Sequence, residues 1–203
     1  IPYIFTLDGK TSAEALRNYD KPGAGDYYLL ARNSGRQSIT SPYHYEAAGK
    51  SLFVTSTAMP IFKNGKVIGA AGADVELQSI EETLGKIKVL DSGYAFLVDQ
   101  HGTFVSHPNP ANQMKPLRSV AEPNLVAAVE ESPRDGRTRQ AEAKSSHTGA
   151  VSLFVAAPFP VGDTGVNWTL VLPVPKAVVM APVRAGGYLR LLIGLALRVS
   201  VQA

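Results

Sequence analysis

The sequence predicts an α+β fold in which two sheet-containing halves are joined by a helix. Eighteen Gly and 14 Pro among 203 residues favour turns and short strands over a helical bundle. Runs of β-forming residues flank Asn64-Gly65, a dipeptide that is typical of tight hairpins. After these runs the apolar spacing changes from that of strands to that of a helix.

The first half of the chain is predicted to consist of strands and turns. Residues 51–58 and 66–75 form the two strands on either side of Asn64-Gly65. Before them, residues 27–31 and 37–40 are expected to pair as strands around the turn-forming residues 33–35. The first half is therefore expected to form an antiparallel sheet of its own.

A connecting helix and a second sheet follow. Leu77, Ile80, Leu84 and Ile87 recur every three or four residues, which places them on one face of a helix. A short helix is predicted near residues 124–131, and another begins at Lys176 after Pro173 and Pro175. The strands predicted for the second half are residues 94–98, 103–107, 137–143, 151–159 and 168–172.

Residues 188–203 allow two interpretations. The uncharged stretch from Leu191 to Leu197 lies between Arg190 and Arg198, whereas a membrane-spanning helix needs about 20 apolar residues. The segment is therefore either an amphipathic terminal helix or the start of a transmembrane helix.

Composition excludes several classes of function. A net charge of +3 without a basic cluster argues against nucleic-acid binding. The absence of cysteine excludes disulfides, thiol nucleophiles and Cys-based metal sites. The histidines do not show the spacing of a metal site, so no bound metal or cofactor is predicted. No nucleophile motif is present, so no enzymatic activity is predicted. The four histidines are His44, His101, His107 and His147.

Tyrosines concentrate in one part of the first half. Four of the eight tyrosines fall within 19 residues, and a strand of small residues ending at Asp74 follows them. Tyrosine combines an apolar ring with a polar tip, which suits the wall of a small-molecule pocket, although core packing explains such a cluster equally well. The hypothesis is one pocket, lined by Tyr27, Tyr28, Arg32, Tyr43, His44, Tyr45 and Asp74.

These residues and others carry a family resemblance. In the first half the matching runs are Pro2-Tyr3, residues 27–30, residues 42–45, Thr55-Ser56, Pro60-Ile61, Gly65-Lys66 and residues 69–74. In the second half they are residues 92–98, Gly102-Thr103, His107-Pro108 and residues 168–170. The chain thereby resembles a double Cache sensor domain, the extracytoplasmic part of bacterial chemoreceptors and histidine kinases. The resemblance implies two PAS-like modules, each with a curved antiparallel sheet and flanking helices.

The resemblance also implies where a ligand binds. In the amino-acid-binding subgroup an Arg, a Trp-Tyr pair, a later Tyr and a strand-ending Asp hold the ligand in the membrane-distal module. Tyr28, Tyr43 and Asp74 occupy the positions of the Tyr, the later Tyr and the Asp. Tyr27 replaces the Trp, and Gly25 stands where the carboxylate-binding Arg is usual. Without that Arg, a positive charge for a carboxylate has to come from Arg32 or His44.

The predicted function is a periplasmic sensor domain of a chemoreceptor in the inner membrane. Its ligand is predicted to be a short organic acid such as acetate, and the receptor to signal as a homodimer through flanking transmembrane helices. A histidine-kinase sensor, an amino-acid or amine chemoreceptor, and an adhesion or carbohydrate-binding module are the alternatives. The predicted regions are a membrane-distal module at 1–76, a connector at 77–90, a membrane-proximal module at 91–175 and a stalk helix with the start of a membrane segment at 176–203.

Overall fold

The computed structural model describes residues 1–7, 9–47 and 49–184. The predicted segment 188–203 lies outside these residues. The chain divides into two compact units, Ile1–Ile80 with Pro160–Trp168, and Glu81–Phe159 with the remainder. The sequence predicts residues 160–168 to belong to the second half. In the structure their contacts are mainly with the first unit. The assignment of the two halves as membrane-distal and membrane-proximal modules stays a prediction.

The first unit is built on a long hairpin. Strands β5 (Lys50–Lys63) and β6 (Lys66–Glu76) pair antiparallel around Asn64-Gly65, as predicted. Both turn residues have positive φ, 51° and 76°, which is the geometry that this dipeptide favours. On its other edge β5 pairs with two short strands, β3 (Ser38–Ile39) and β4 (Tyr43–Ala47). A separate hairpin precedes this sheet, with strands β1 (Pro2–Leu7) and β2 (Lys10–Ala15).

The strand predicted at residues 27–31 is wrong. These residues lie in helix α1 (Asp26–Ser34), and β3 pairs with β5 instead. Asp26 lies in the first helical turn, where a negative charge is favourable, and Gly35 ends the helix with φ at 65°. The residues interpreted as a hairpin turn are therefore the end of a helix.

Helix α2 (Leu77–Leu84) follows β6 without a loop. It begins where the apolar spacing predicts, at the fully buried Leu77. It ends earlier than predicted, because Gly85 follows Leu84 and Ile87 lies beyond the helix.

The second unit contains a five-stranded sheet in the order β8-β7-β11-β10-β9. Helix α3 is Pro123–Asp135, and α4 begins at Lys176 and reaches Arg184. The strands are β7 (Phe96–Val98), β8 (Phe104–Ser106), β9 (Arg139–Lys144), β10 (Val151–Pro160) and β11 (Asn167–Pro175). Its core is aromatic and aliphatic, and it includes Phe96, Val98, Phe104, Leu117, Leu125, Val129, Phe154 and Val171. The predicted α+β class with antiparallel sheets is confirmed.

Candidate functional site

Four tyrosine rings from three elements of the first unit come together. Tyr3 lies on β1, Tyr27 on α1, and Tyr43 and Tyr45 on β4. The ring centroids of Tyr3 and Tyr45 are 4.9 Å apart, and those of Tyr27 and Tyr43 are 6.3 Å apart and nearly parallel. Tyr45 meets both Tyr27 and Tyr43 edge to face, at 6.5 and 6.4 Å. We call these rings the tyrosine cluster.

Asp74 is connected to this cluster by a chain of hydrogen bonds. The Ser56 hydroxyl donates to the Asp74 carboxylate across 2.5 Å. Because that bond uses the only hydrogen of the Ser56 hydroxyl, Tyr43 must donate to Ser56, across 2.6 Å. Tyr3 forms a further side-chain hydrogen bond to Asp74. The carboxylate of Asp74 therefore accepts from Tyr3 directly and is connected to Tyr43 through Ser56.

A β-bulge decides that Asp74 faces Ser56. Counting straight back from the Asn64-Gly65 turn would place Ala73 opposite Ser56. The register shifts by one residue between Ile61 and Phe62, and this brings Asp74 opposite Ser56. Because neighbouring residues of a strand point to opposite faces, the bulge determines whether the carboxylate shares a face with Ser56.

Among the described residues that these hydrogen bonds and ring contacts join, Asp74 carries the formal charge. Burial raises the pKa of Tyr27 to about 12, and the neighbouring Tyr45 and Asp74 add to this shift. Burial likewise raises the pKa of Tyr3 and Tyr43 well above the usual range of a phenol, with Asp74 adding to both shifts. The phenols are therefore neutral at physiological pH. They are hydrogen-bonding groups and π faces, and they carry no charge of their own.

Arg17 is a cation that acts on the cluster, and its charged group has a partner of its own. Arg17 opposes the rise that burial and Asp74 cause in the pKa of Tyr45. Its guanidinium pairs with Glu14 at 3.6 Å, and its side chain is 64% exposed. The Tyr27 hydroxyl donates to the backbone carbonyl of Arg17, so this residue closes the cluster through its main chain.

Three of the seven predicted site residues are not part of the tyrosine cluster. His44 lies between Tyr43 and Tyr45 on β4, so its side chain points to the opposite face, where it packs against Phe53 at 4.2 Å. Arg32 is exposed on α1. Tyr28 packs against Tyr19 at 5.7 Å. The structure thus brings together Tyr27, Tyr43, Tyr45 and Asp74.

Sequence reasoning missed two members of the site, Tyr3 and Ser56. Both lie in runs that carry the family resemblance, but nothing local marks them as ligand-facing. Ser56 is 2% exposed, and a buried hydroxyl on a strand that pairs with an Asp-bearing strand is a usable signal. Finding it requires the bulged register, which the sequence does not show.

Gly25, which the resemblance predicts to stand at the position of a ligand-binding arginine, is closely packed. It is buried immediately before α1, and a Cβ atom built there would lie 2.3 Å from the Asn18 carbonyl oxygen and 2.8 Å from Tyr19 backbone atoms. No side chain fits at that position unless the backbone from Asn18 to Tyr19 moves. The structure therefore explains the glycine as a requirement of packing.

A model of the Cache domain matches residues 3–183. The chain belongs to the Cache family. It is 27% identical over 147 residues to the methyl-accepting chemotaxis protein McpA of Pseudomonas putida, covering 68% of this chain and 23% of McpA. The chain therefore matches less than a quarter of that relative's length.

Solved structures agree with this membership. The extracellular domain of the putative histidine kinase mmHK1S-Z3 superimposes with a TM-score of 0.77 at 29% identity, covering 92% of this chain and 65% of that domain. The ligand-binding domain of the Pseudomonas aeruginosa chemoreceptor PctB, in complex with L-Arg, gives a TM-score of 0.65 at 26% identity. The alignment covers 89% of this chain and 73% of that domain. This Cache domain is thus similar to sensor domains of both receptor classes.

Two further observations concern the described part of the Cache domain. Within residues 1–7, 9–47 and 49–184, no three His, Cys, Asp or Glu side chains come together in a way that could hold a metal ion. No helix among these same residues combines the length and the hydropathy that a bilayer crossing requires.

Proposed function

We propose that this Cache domain is the extracytoplasmic sensor of a transmembrane chemoreceptor and that its first unit binds a small molecule through an ammonium group. The ammonium is held by Asp74 within the tyrosine cluster. The observation that carries this proposal is the charge of the site, one half-buried carboxylate among four neutral phenols. An ammonium neutralises that carboxylate, and the π faces of tyrosine rings attract cations.

The geometry favours an amine over the short acid that the sequence predicts. A carboxylate ligand needs a cation, and the two candidates, Arg32 and His44, lie outside the tyrosine cluster. The family arginine is replaced by Gly25, whose packing excludes a side chain. A ligand carboxylate next to Asp74 would face like charge, and Arg17, which is mostly exposed and paired with Glu14, compensates it only weakly.

The neighbours support a ligand of this kind. The PctB domain was solved with L-Arg, which carries cationic groups and a carboxylate. In this Cache domain the pairing partner for an ammonium is present, and the arginine that holds a carboxylate in the related subgroup is absent. We therefore infer an amine whose recognition depends little on a carboxylate.

Signalling is proposed from the same relatives. McpA is a chemotaxis receptor, and the mmHK1S-Z3 domain belongs to a histidine kinase. We propose chemoreceptor output, a homodimeric receptor with flanking transmembrane helices, and a periplasmic location for this domain. Ligand binding then shifts the population between two arrangements of the receptor, because the ligand has different affinities for them.

Calorimetric titration of Asp74→Asn tests the ligand chemistry. The panel is L-arginine, ethanolamine and acetate, and the control is Glu46→Gln, an exposed carboxylate on β4 next to Tyr45. We expect the unmodified domain to bind an amine, and Asp74→Asn to lose at least a hundredfold in affinity while Glu46→Gln binds normally. Amine binding that survives Asp74→Asn, or acetate binding that depends on Asp74, would contradict the proposal.

A further inference from the structure

A second cluster of titratable rings lies in the second unit. Tyr94 precedes β7, His107 follows β8, and His147 lies in the turn between β9 and β10. The ring centroids are 6.1 Å apart for Tyr94 and His107, 5.0 Å for Tyr94 and His147, and 6.1 Å for the two histidines. The three rings therefore form a triangle in which each is within contact distance of the other two.

The hydroxyl of Tyr94 is a donor without an acceptor. The Ser145 hydroxyl accepts the backbone N–H groups of His147 and Thr148, at 3.2 and 3.1 Å, which occupies both of its lone pairs. Its remaining interaction is with the Tyr94 hydroxyl at 2.8 Å, and there it can only donate. The hydrogen of Tyr94 is thus left over, and the part of the chain that the structure describes gives it no acceptor. Burial raises the pKa of Tyr94, which keeps this hydrogen in place.

His107 provides a second donor by the same kind of argument. Two donors point at its Nδ1, the backbone N–H of Asn109 at 3.0 Å and the side-chain amide of Asn112 at 3.4 Å, and one acceptor, the Asn109 carbonyl oxygen, lies 3.3 Å from it. The two donors and the shorter distance favour the neutral tautomer that carries its hydrogen on Nε2. Burial lowers the pKa of His107 to about 4, although the backbone of Asn109 opposes this shift, so the ring is neutral at physiological pH. Within the described residues, the contacts of the ring supply no acceptor for Nε2–H; they are with Tyr94, Phe96, Phe104, Asn109, Asn112 and His147.

His147 adds a ring on the solvent side. It is exposed, and its turn is fixed by backbone hydrogen bonds from Ser145 to the Ala150 carbonyl and from Gly149 to the Ser145 carbonyl, both at 2.9 Å. Tyr94 and His107 therefore lie on the buried side of the triangle and His147 on its open side. No carboxylate takes part in the hydrogen bonds or ring contacts of these three residues in the described chain.

We propose that Tyr94, His107 and His147 form a second ligand site, which binds a small carboxylate. Two unused donors, one phenolic and one imidazole, belong to rings whose centroids lie 6.1 Å apart, and together they suit the two acceptor oxygens of a carboxylate. The exposed His147 lies on the solvent side of the ligand. This site differs from the tyrosine cluster in both unit and chemistry. It therefore does not depend on the amine proposal, and the short acid predicted from the sequence is assigned to the second unit.

The test is a titration of the full chain, labelled with nitrogen-15, with sodium acetate against sodium chloride at equal ionic strength. The side-chain nitrogen signals of the histidines report the ring tautomers and ligand contacts. We expect acetate, but not chloride, to shift the His107 and His147 signals to saturation, and the Nδ1 and Nε2 shifts of free His107 to show the hydrogen on Nε2. The exposed His101 in the same unit is the internal control.

Two variants make the test decisive. Tyr94→Phe keeps the ring and removes the donor, so it should weaken acetate binding at least tenfold while the His101 signal and the fold are unchanged. Asp74→Asn, in the first unit, should leave acetate binding intact. The proposal is overturned if acetate moves no His107 signal, if Tyr94→Phe binds acetate as well as the unmodified chain, or if Asp74→Asn abolishes the response.

Discussion

The two units use the same pair of side chains, a tyrosine and a serine, in opposite directions. In the first unit Ser56 donates to Asp74, so Tyr43 has to donate to Ser56. In the second unit Ser145 accepts two backbone N–H groups, so it has to donate to Tyr94. A tyrosine next to a serine therefore says little about ligand chemistry. The third partner decides whether the site presents a negative charge or a free donor.

The units also differ in how they are held together. Phe96, Phe104 and Phe154 lie in the core of the second unit and are at most 2% exposed. In the first unit the large apolar side chains Met59, Phe62 and Ile68 are more than half exposed, and buried Thr55 and Ser56 contribute hydrogen bonds at its centre. The second unit therefore depends more on apolar burial, and the first more on polar contacts.

Truncation of a phenylalanine is expected to have the largest effect and to differ most between the units. Phe104→Ala removes a ring that is 1% exposed and should lower the free energy of unfolding by about 3–5 kcal/mol. Phe62→Ala, at a ring that is 55% exposed, should change it by less than about 0.5 kcal/mol. Urea unfolding followed by circular dichroism measures both. Equal losses for the two variants would refute the contrast in packing.

The sequence predicts the fold class because the strongest local signals agree with the tertiary structure. Asn64-Gly65 forms its hairpin, and Leu77 begins a helix with its side chain in the core. The prediction of a strand at residues 27–31 is wrong because aromatic and aliphatic residues occur in strands and helices alike. Only the flanking Asp26 and Gly35, which cap the helix, distinguish the two.

Titration should destabilise the two units at opposite ends of the pH range. The folded-state pKa of His107, about 4, lies below the usual value of about 6.5, so the unfolded chain takes up a proton first as the pH falls. Stability should therefore decrease between about pH 6.5 and pH 4, by about 2–4 kcal/mol in all. The tyrosine cluster has raised pKa values, so the unfolded chain loses protons first above about pH 10, and stability should fall there.

Nuclear magnetic resonance of residues in each unit separates the two effects. Below pH 6 the signals of the second unit should show local opening first, and above pH 10 those of the first unit should do so. The variant His107→Gln removes the titrating ring and should flatten the acid side of the profile. If the acid loss persists unchanged in that variant, another group is responsible for it.

The site could be predicted only in part, and the reason is register. The positions of Tyr27, Tyr43, Tyr45 and Asp74 follow from the sequence, and the structure brings them together. The sequence also predicts His44 in the pocket, but strand alternation places its side chain on the other face of β4. Ser56 meets Asp74 because of the bulge at Ile61/Phe62, and Tyr3 lies on a hairpin that forms a separate two-stranded sheet among the described residues. Neither contact has a local signature.

The smallest expected effect concerns Gly25, the buried glycine immediately before α1. Gly25→Ala places a methyl group where the Asn18 oxygen lies 2.3 Å away, so the backbone must shift, and we expect a loss of about 1–3 kcal/mol in unfolding free energy. Gly69→Ala is the matched control, because a Cβ there meets only the Tyr28 hydroxyl, at an ordinary 3.5 Å. Since Gly25 precedes the helix that carries Tyr27, the same shift should also weaken amine binding, whereas Gly69→Ala should bind normally. If Gly25→Ala is as stable as Gly69→Ala, packing does not require the glycine, and the missing arginine must then be explained by ligand chemistry alone.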